Sequence, residues 1–172
     1  RDTFEIILGY GPYFEENTFL NKLVQYETFL TGIQYLGFAE MGYPYMSVGR
    51  NVAYKKSLLT EIAFKNSNKT VSGDDDLIFQ QIAHKENVAY CISKETQVYS
   101  IAPKSFREWI HQKKRHLSAG NHYSLSLKIR LGLFTFLNLG FFLCLGFLTL
   151  KNPLTTPFII LSKYLIFSTL LH

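Results

Sequence analysis

From Leu131 to Leu150 the chain reads LGLFTFLNLGFFLCLGFLTL, an uncharged run of 20 residues. At helical rise such a run covers a hydrocarbon core of about 30 Å. A soluble core helix rarely stays uncharged on every face over that length, so residues 131–150 are expected to form a transmembrane helix. A second apolar stretch, 154–171, is interrupted by Pro157 and Lys163. It is expected to be a returning span or an interfacial helix.

The net charge of +5 hides two parts of opposite sign. Residues 1–108 carry 11 Lys/Arg against 13 Asp/Glu, whereas residues 109–172 carry 7 Lys/Arg and no acid. A basic segment adjoining the most apolar one favours a membrane surface as partner, and nucleic acid is not expected. Lys113, Lys114, Arg115, Lys128 and Arg130 precede the first span while Lys151 follows it, which places residues 1–130 in the cytoplasm by the positive-inside rule. A hydrophobic content of 47% excludes a disordered chain. Cys91 and Cys144 support neither a disulfide nor a cysteine metal framework. The chain begins at Arg1 without an initiator Met or a signal-peptide pattern, and is expected to continue upstream.

Ahead of the span, residues 4–10 have the composition of a buried strand, broken by Gly9, Gly11 and Pro12. Phe19, Leu23, Tyr26, Leu30 and Ile33 recur at helical spacing between Glu15 and Gly37, predicting a helix whose stripe is core by default. Residues 66–70 read as a loop, and 74–86 as a helix with acids in its first turn and Lys85 in its last. Strands are expected at 88–93 and 96–101. Ser105 with Glu108 forms a capping-box pattern that opens a helix over about 106–118, and Gly120 stops it.

Two clusters carry chemistry. TVSGDDDL, residues 70–77, sets three consecutive carboxylates at a loop-to-helix junction, where helix N–H groups, a cation or water must offset their repulsion. Taken alone, it reads first as a solvated helix cap, and it lacks the alternating acids of a calcium loop. The second cluster is Gln112, Lys113, Lys114, Arg115 and His116. Gln112 and Arg115 share a helix face, where an amide and a guanidinium suit a sugar hydroxyl and a diphosphate; a basic patch on anionic lipid is the alternative. Trp109 lies on that face too, as a sugar-stacking ring or an interface anchor. His84, His111, His116 and His122 lack zinc spacing, and no Walker A loop, nucleophile elbow or dinucleotide fingerprint is present.

The order of segments is more specific than any one of them. GRNVAYKKSLL, TVSGDDDL, TQVYSIAPKSFREWIHQKKRH and then a span resembles the rear half of membrane-integrated family 2 glycosyltransferases. There a Gly-x-Asn segment precedes Thr-Glu-Asp-x-Asp-Leu and then Gln-x-x-Arg-Trp on an amphipathic helix before the membrane. The resemblance covers nearly all of residues 40–150. It puts Gly49 and Asn51 on the first segment, Asp74 on the catalytic Asp, Asp76 on the tail of that motif, and Gln112 and Arg115 on the last. Gly73 stands where Glu is usual and His116 where Trp is usual, so processive polymer synthesis is not implied.

The resemblance implies an α/β fold: the C-terminal, acceptor-side part of a GT-A-like catalytic domain over residues 1–125, followed by transmembrane helices. The implied activity is inverting transfer of a hexose-type sugar from a nucleotide-sugar donor to a lipid-linked or glycan acceptor. Asp74 would be the base, with Gly49, Asn51, Asp76, Trp109, Gln112, Arg115 and His116 binding substrate. A divalent metal, Mg or Mn, is implied for the complete enzyme, its Asp-x-Asp ligands missing from this chain. The 172 residues alone are therefore expected to be inactive. The alternative from another class is a non-catalytic, membrane-tethered module that binds lipid or a partner.

Overall fold

The computed structural model describes residues 4–58 and 74–162. The chain divides into two compact units, Arg1–Tyr123 and Ser124–His172. The expected loop at 66–70, with Thr70 and Gly73, lies outside the described residues.

The first unit is mixed α/β. Its sheet consists of β1 (Ile6–Gly9), β2 (Val52–Tyr54) and β3 (Val88–Cys91), in the order β2-β1-β3. β2 runs antiparallel to β1, pairing Ile7 with Ala53, and β3 runs parallel, pairing Ile7 with Ala89. Side chains alternate across a strand. Ile6 and Leu8 are fully buried accordingly, while Ile7 is 47% exposed. β1 is thus buried on one face.

Helix α1 (Phe19–Glu40) is capped by Thr18, whose hydroxyl accepts from Asn21 N–H at 3.1 Å. The predicted stripe is not its core face: Phe19, Tyr26 and Leu30 are 75%, 53% and 47% exposed. Asn21, Val24, Gly32, Tyr35, Leu36 and Phe38 are buried instead. The helix is apolar nearly all round, so periodicity alone does not select a face. Polar bonds and close approach do. Buried Asn21 donates to Phe14 O (3.0 Å) and accepts from Glu16 N–H (3.0 Å) and Gln25 (2.8 Å). Gly32 leaves room for the Tyr10 ring, which a Cβ would meet at 2.8 Å. The helix ends at Gly42, whose φ of +82° suits glycine.

Helix α2 (Asp74–Ile82) is shorter than the predicted 74–86. Buried Asn87 stops it, donating to Ile82 O at 2.9 Å and accepting from His84 N–H at 2.9 Å. Lys85 therefore lies beyond the helix, and the expected pairing of its charge with the helix dipole does not occur. β3 ends at Cys91, two residues early, and 96–101 is not a strand. That segment makes a single parallel bridge, Tyr13 to Ser100. Pro12 and Pro103 flank the bridge and withhold the donors that a ladder needs.

Helix α3 (Phe106–Ala119) starts at Ser105, which accepts from Glu108 N–H at 3.2 Å. The Glu108 carboxylate reaches back to Lys104 N–H at 2.9 Å, one residue ahead of the usual box. Gly120 ends the helix as expected, and one tight turn follows over Gly120–His122. Lys104, just ahead of α3, pairs with Glu16, just ahead of α1, and Lys113 of α3 pairs with Glu27 of α1. Tyr13, Val24 and Ala102 pack together beneath, joined by Leu20 and Trp109.

The second unit is led by α4 (Leu125–Lys151), capped by Ser124. It begins six residues before the predicted span and takes in Lys128 and Arg130. Among the described residues it is the helix long and apolar enough to cross a membrane, its most apolar 18-residue stretch having a mean hydropathy of 2.1. Thr135, Asn138 and Thr149 each donate to the carbonyl four residues back at 2.8–2.9 Å. A turn at Pro153–Thr155 leads into helical residues 156–162. Pro157 falls in the first turn of that segment, where proline is tolerated, and does not break it. Residues 163–172, Lys163 among them, lie outside the described residues, and with them half of the second predicted span.

Candidate active site

Side chains link the Gly-x-Asn turn to α3 by way of Tyr13, while Asp76 of α2 bonds to Tyr123 just after α3 and to Ser47 just ahead of that turn. Asn51 precedes β2, in a turn closed by Asn51 N–H on Val48 O at 2.7 Å. Its amide donates to Tyr10 O (2.7 Å) and Thr96 O (2.9 Å). Gly9 allows this approach, since a Cβ there would lie 2.4 Å from the amide. Both donor hydrogens of Asn51 thus stitch the end of β1 to the turn after β3. Gly49 is exposed beside it.

Arg50, between these two, was not singled out by sequence. Its guanidinium donates to Gly11 O and lies over the Tyr13 ring, 4.5 Å from the centroid. The buried Tyr13 hydroxyl receives Arg50 at 3.5 Å and the Gln112 amide at 2.9 Å. A chain of contacts therefore joins the Gly-x-Asn turn to the helix of the Gln-x-x-Arg segment.

Asp74 opens α2, and its side chain lies outside what the structure describes. Asp76, in the same turn, is 8% exposed. Its carboxylate accepts from the Tyr123 hydroxyl at 2.9 Å and, over a longer 3.4 Å, from Ser47 N–H. Burial pushes the Tyr123 phenol well above its ordinary value, and the Asp76 charge and hydrogen bond add to this. Tyr45 is raised by burial first and by Asp76 second.

On α3, Trp109 is half-buried against the Tyr13 cluster and edge-on to Phe106 at 6.2 Å. Its ring is used in packing, and its indole N–H is buried without a partner among the described residues. Arg115 is exposed one turn beyond Gln112. His116 is exposed in area, yet desolvation by the surrounding chain and then the Lys113 and Arg115 charges hold its imidazole below the ordinary value. Lys113, from the same basic cluster, is paired with Glu27.

Residues 5–172 match the model of glycosyl transferase family group 2. The chain belongs to this family. No curated protein matches it. Family membership makes it a glycosyltransferase with a mixed α/β catalytic domain, so its substrates are, in general, a nucleotide-sugar donor and an acceptor.

The described residues bring together no ready-made site for a divalent ion. Mg²⁺ requires several oxygen ligands with open lone pairs. Asp76 accepts one hydrogen bond on each oxygen, from Tyr123 and Ser47, and no group of three His, Cys, Asp or Glu side chains comes together among the described residues. Sequence reasoning also missed Tyr13, Ser47 and Tyr123. Arg50 was missed too, since it fills the variable position of the Gly-x-Asn segment, and Tyr123 has no local signal and enters the site through folding alone.

Proposed function

We propose that this family member is the acceptor-side part of a GT-A-like, inverting enzyme that moves a hexose-type sugar from a nucleotide-sugar to a lipid-linked or glycan acceptor. Asp74 removes the acceptor hydroxyl proton as that oxygen attacks the anomeric carbon. The bond to the nucleoside diphosphate breaks on the opposite side, and Arg115, with a planar fork of donors, offsets the charge that develops there. The divalent ion that this chemistry calls for takes its ligands from residues other than the described ones. Gln112, its amide N–H₂ directed to Tyr13, offers its carbonyl oxygen to a sugar hydroxyl.

The observation that carries this reading is the linkage of the Gly-x-Asn turn to α3 through Arg50 and Tyr13, and of α2 to the turn after α3 through Asp76 and Tyr123. A lipid-tethered module has no use for such linkage, since a basic patch binds lipid wherever it lies on the surface. We place the reaction at the cytoplasmic membrane face, supported by α4 and by the basic residues ahead of it. In the full-length enzyme, Asp74→Asn should lower kcat by about 10²–10⁴-fold with donor binding kept. Full transfer by that variant would refute the base assignment.

A further inference from the structure

We infer that Asp76 is a positioning residue, which with Tyr123 clamps the helix carrying the catalytic motif against the turn that ends α3. The inference deepens the proposed function and rests on it. The motif comparison made Asp76 a substrate contact. Its surroundings give it another task.

Three observations carry the clamp. Asp76 is buried, and each carboxylate oxygen accepts from a different stretch of the first unit: Oδ2 from the Tyr123 hydroxyl at 2.9 Å, and Oδ1 from Ser47 N–H at 3.4 Å. Tyr123 is itself held by a row of rings. It meets Tyr45 edge-on at 6.4 Å, and Tyr45 meets Phe38 edge-on at 5.3 Å. α2 also packs against α3, so the clamp closes a contact already formed by the two helices. A buried carboxylate survives when its lone pairs are met, and here the partners fix the first turn of α2 relative to 45–47 and 120–123. Asp74 lies two residues away on that same turn. Displacing the turn by a fraction of an ångström moves the base relative to the acceptor hydroxyl, to which proton transfer is sensitive.

The test uses the full-length enzyme with Tyr123→Phe, Asp76→Asn and the double variant. Tyr123→Phe removes one hydroxyl and leaves the ring row in place. We expect its kcat to fall about 10-fold with donor and acceptor KM within about twofold, and a melting temperature within a few degrees of the parent. The double variant should be no slower than the slower single one, because both substitutions open one contact. Backbone amides of 76–82 should exchange faster in Tyr123→Phe, a readout independent of transfer. Unchanged kcat with unchanged exchange would overturn the clamp. So would losses that multiply in the double variant, and a rise in KM at constant kcat would return Asp76 to substrate contact. If the parent enzyme transfers no sugar, the proposed function fails, and the exchange measurement alone decides the clamp.

Discussion

Helices α1 and α4 both carry apolar residues on nearly every side, yet the balance of their polar bonds differs. Apart from Thr31, which donates to Glu27 O of its own helix, α1 bonds outward: Asn21 to Phe14 and Glu16, Glu27 to Lys113. α4 bonds inward, with Thr135, Asn138 and Thr149 each donating to a carbonyl of their own helix. A helix whose polar groups reach other segments is specified by the protein around it. One whose polar groups turn back on itself can reside where the medium offers no partner, which is the condition inside a bilayer.

The largest effect should come from a charge placed on each helix in turn. Leu139→Arg sits near the middle of α4 and should cost about 2.5–3.5 kcal/mol of membrane insertion, measured in a translocation assay. Phe29→Arg, on an exposed position of α1, should change stability by less than about 0.5 kcal/mol. Equal tolerance at both sites would remove the distinction between the helices. A smaller loss should follow Asn21→Ala, which leaves Phe14 O and Glu16 N–H without their partner. We expect about 2 kcal/mol of destabilisation by chemical denaturation, and a loss below about 0.5 kcal/mol would mean that packing alone selects the buried face of α1.

The same contrast explains how much was legible in the sequence. α3 and its Ser105 cap were readable because capping is local, and β1 because strand composition and its glycine and proline breakers are local. The buried face of α1 was not, because two apolar stripes compete and the choice depends on Asn21, Gly32 and Tyr10, residues brought together only by the fold. The end of α2 was missed for a similar reason: Asn87 captures the helix end from five residues beyond Ile82. In the site, motif order located Gln112, Asn51 and Asp76, but not what they touch. Asn51 and Asp76 are committed to protein partners, and the residues that join the motifs, Arg50, Tyr13 and Tyr123, come from positions that no pattern marks.

The smallest predicted effect probes the flank of α1 through pH. His116 is held below its ordinary value by desolvation and by the Lys113 and Arg115 charges, with Glu27 of α1 acting against them. Its folded-state value therefore lies below the unfolded one, near 6.5. Unfolded chains bind this proton first as pH falls, so the contribution to stability is fully present above the unfolded value and is lost on acidification through it. Melting curves at pH 8 and pH 5 should show a loss that is smaller in His116→Gln than in the parent. Glu27→Gln removes the one acid that favours the imidazolium and should enlarge the loss. If Glu27→Gln left the pH dependence unaltered, the outward bonding of α1 would not reach the Gln112–His116 segment electrostatically, and the ion pair with Lys113 would serve α3 packing alone.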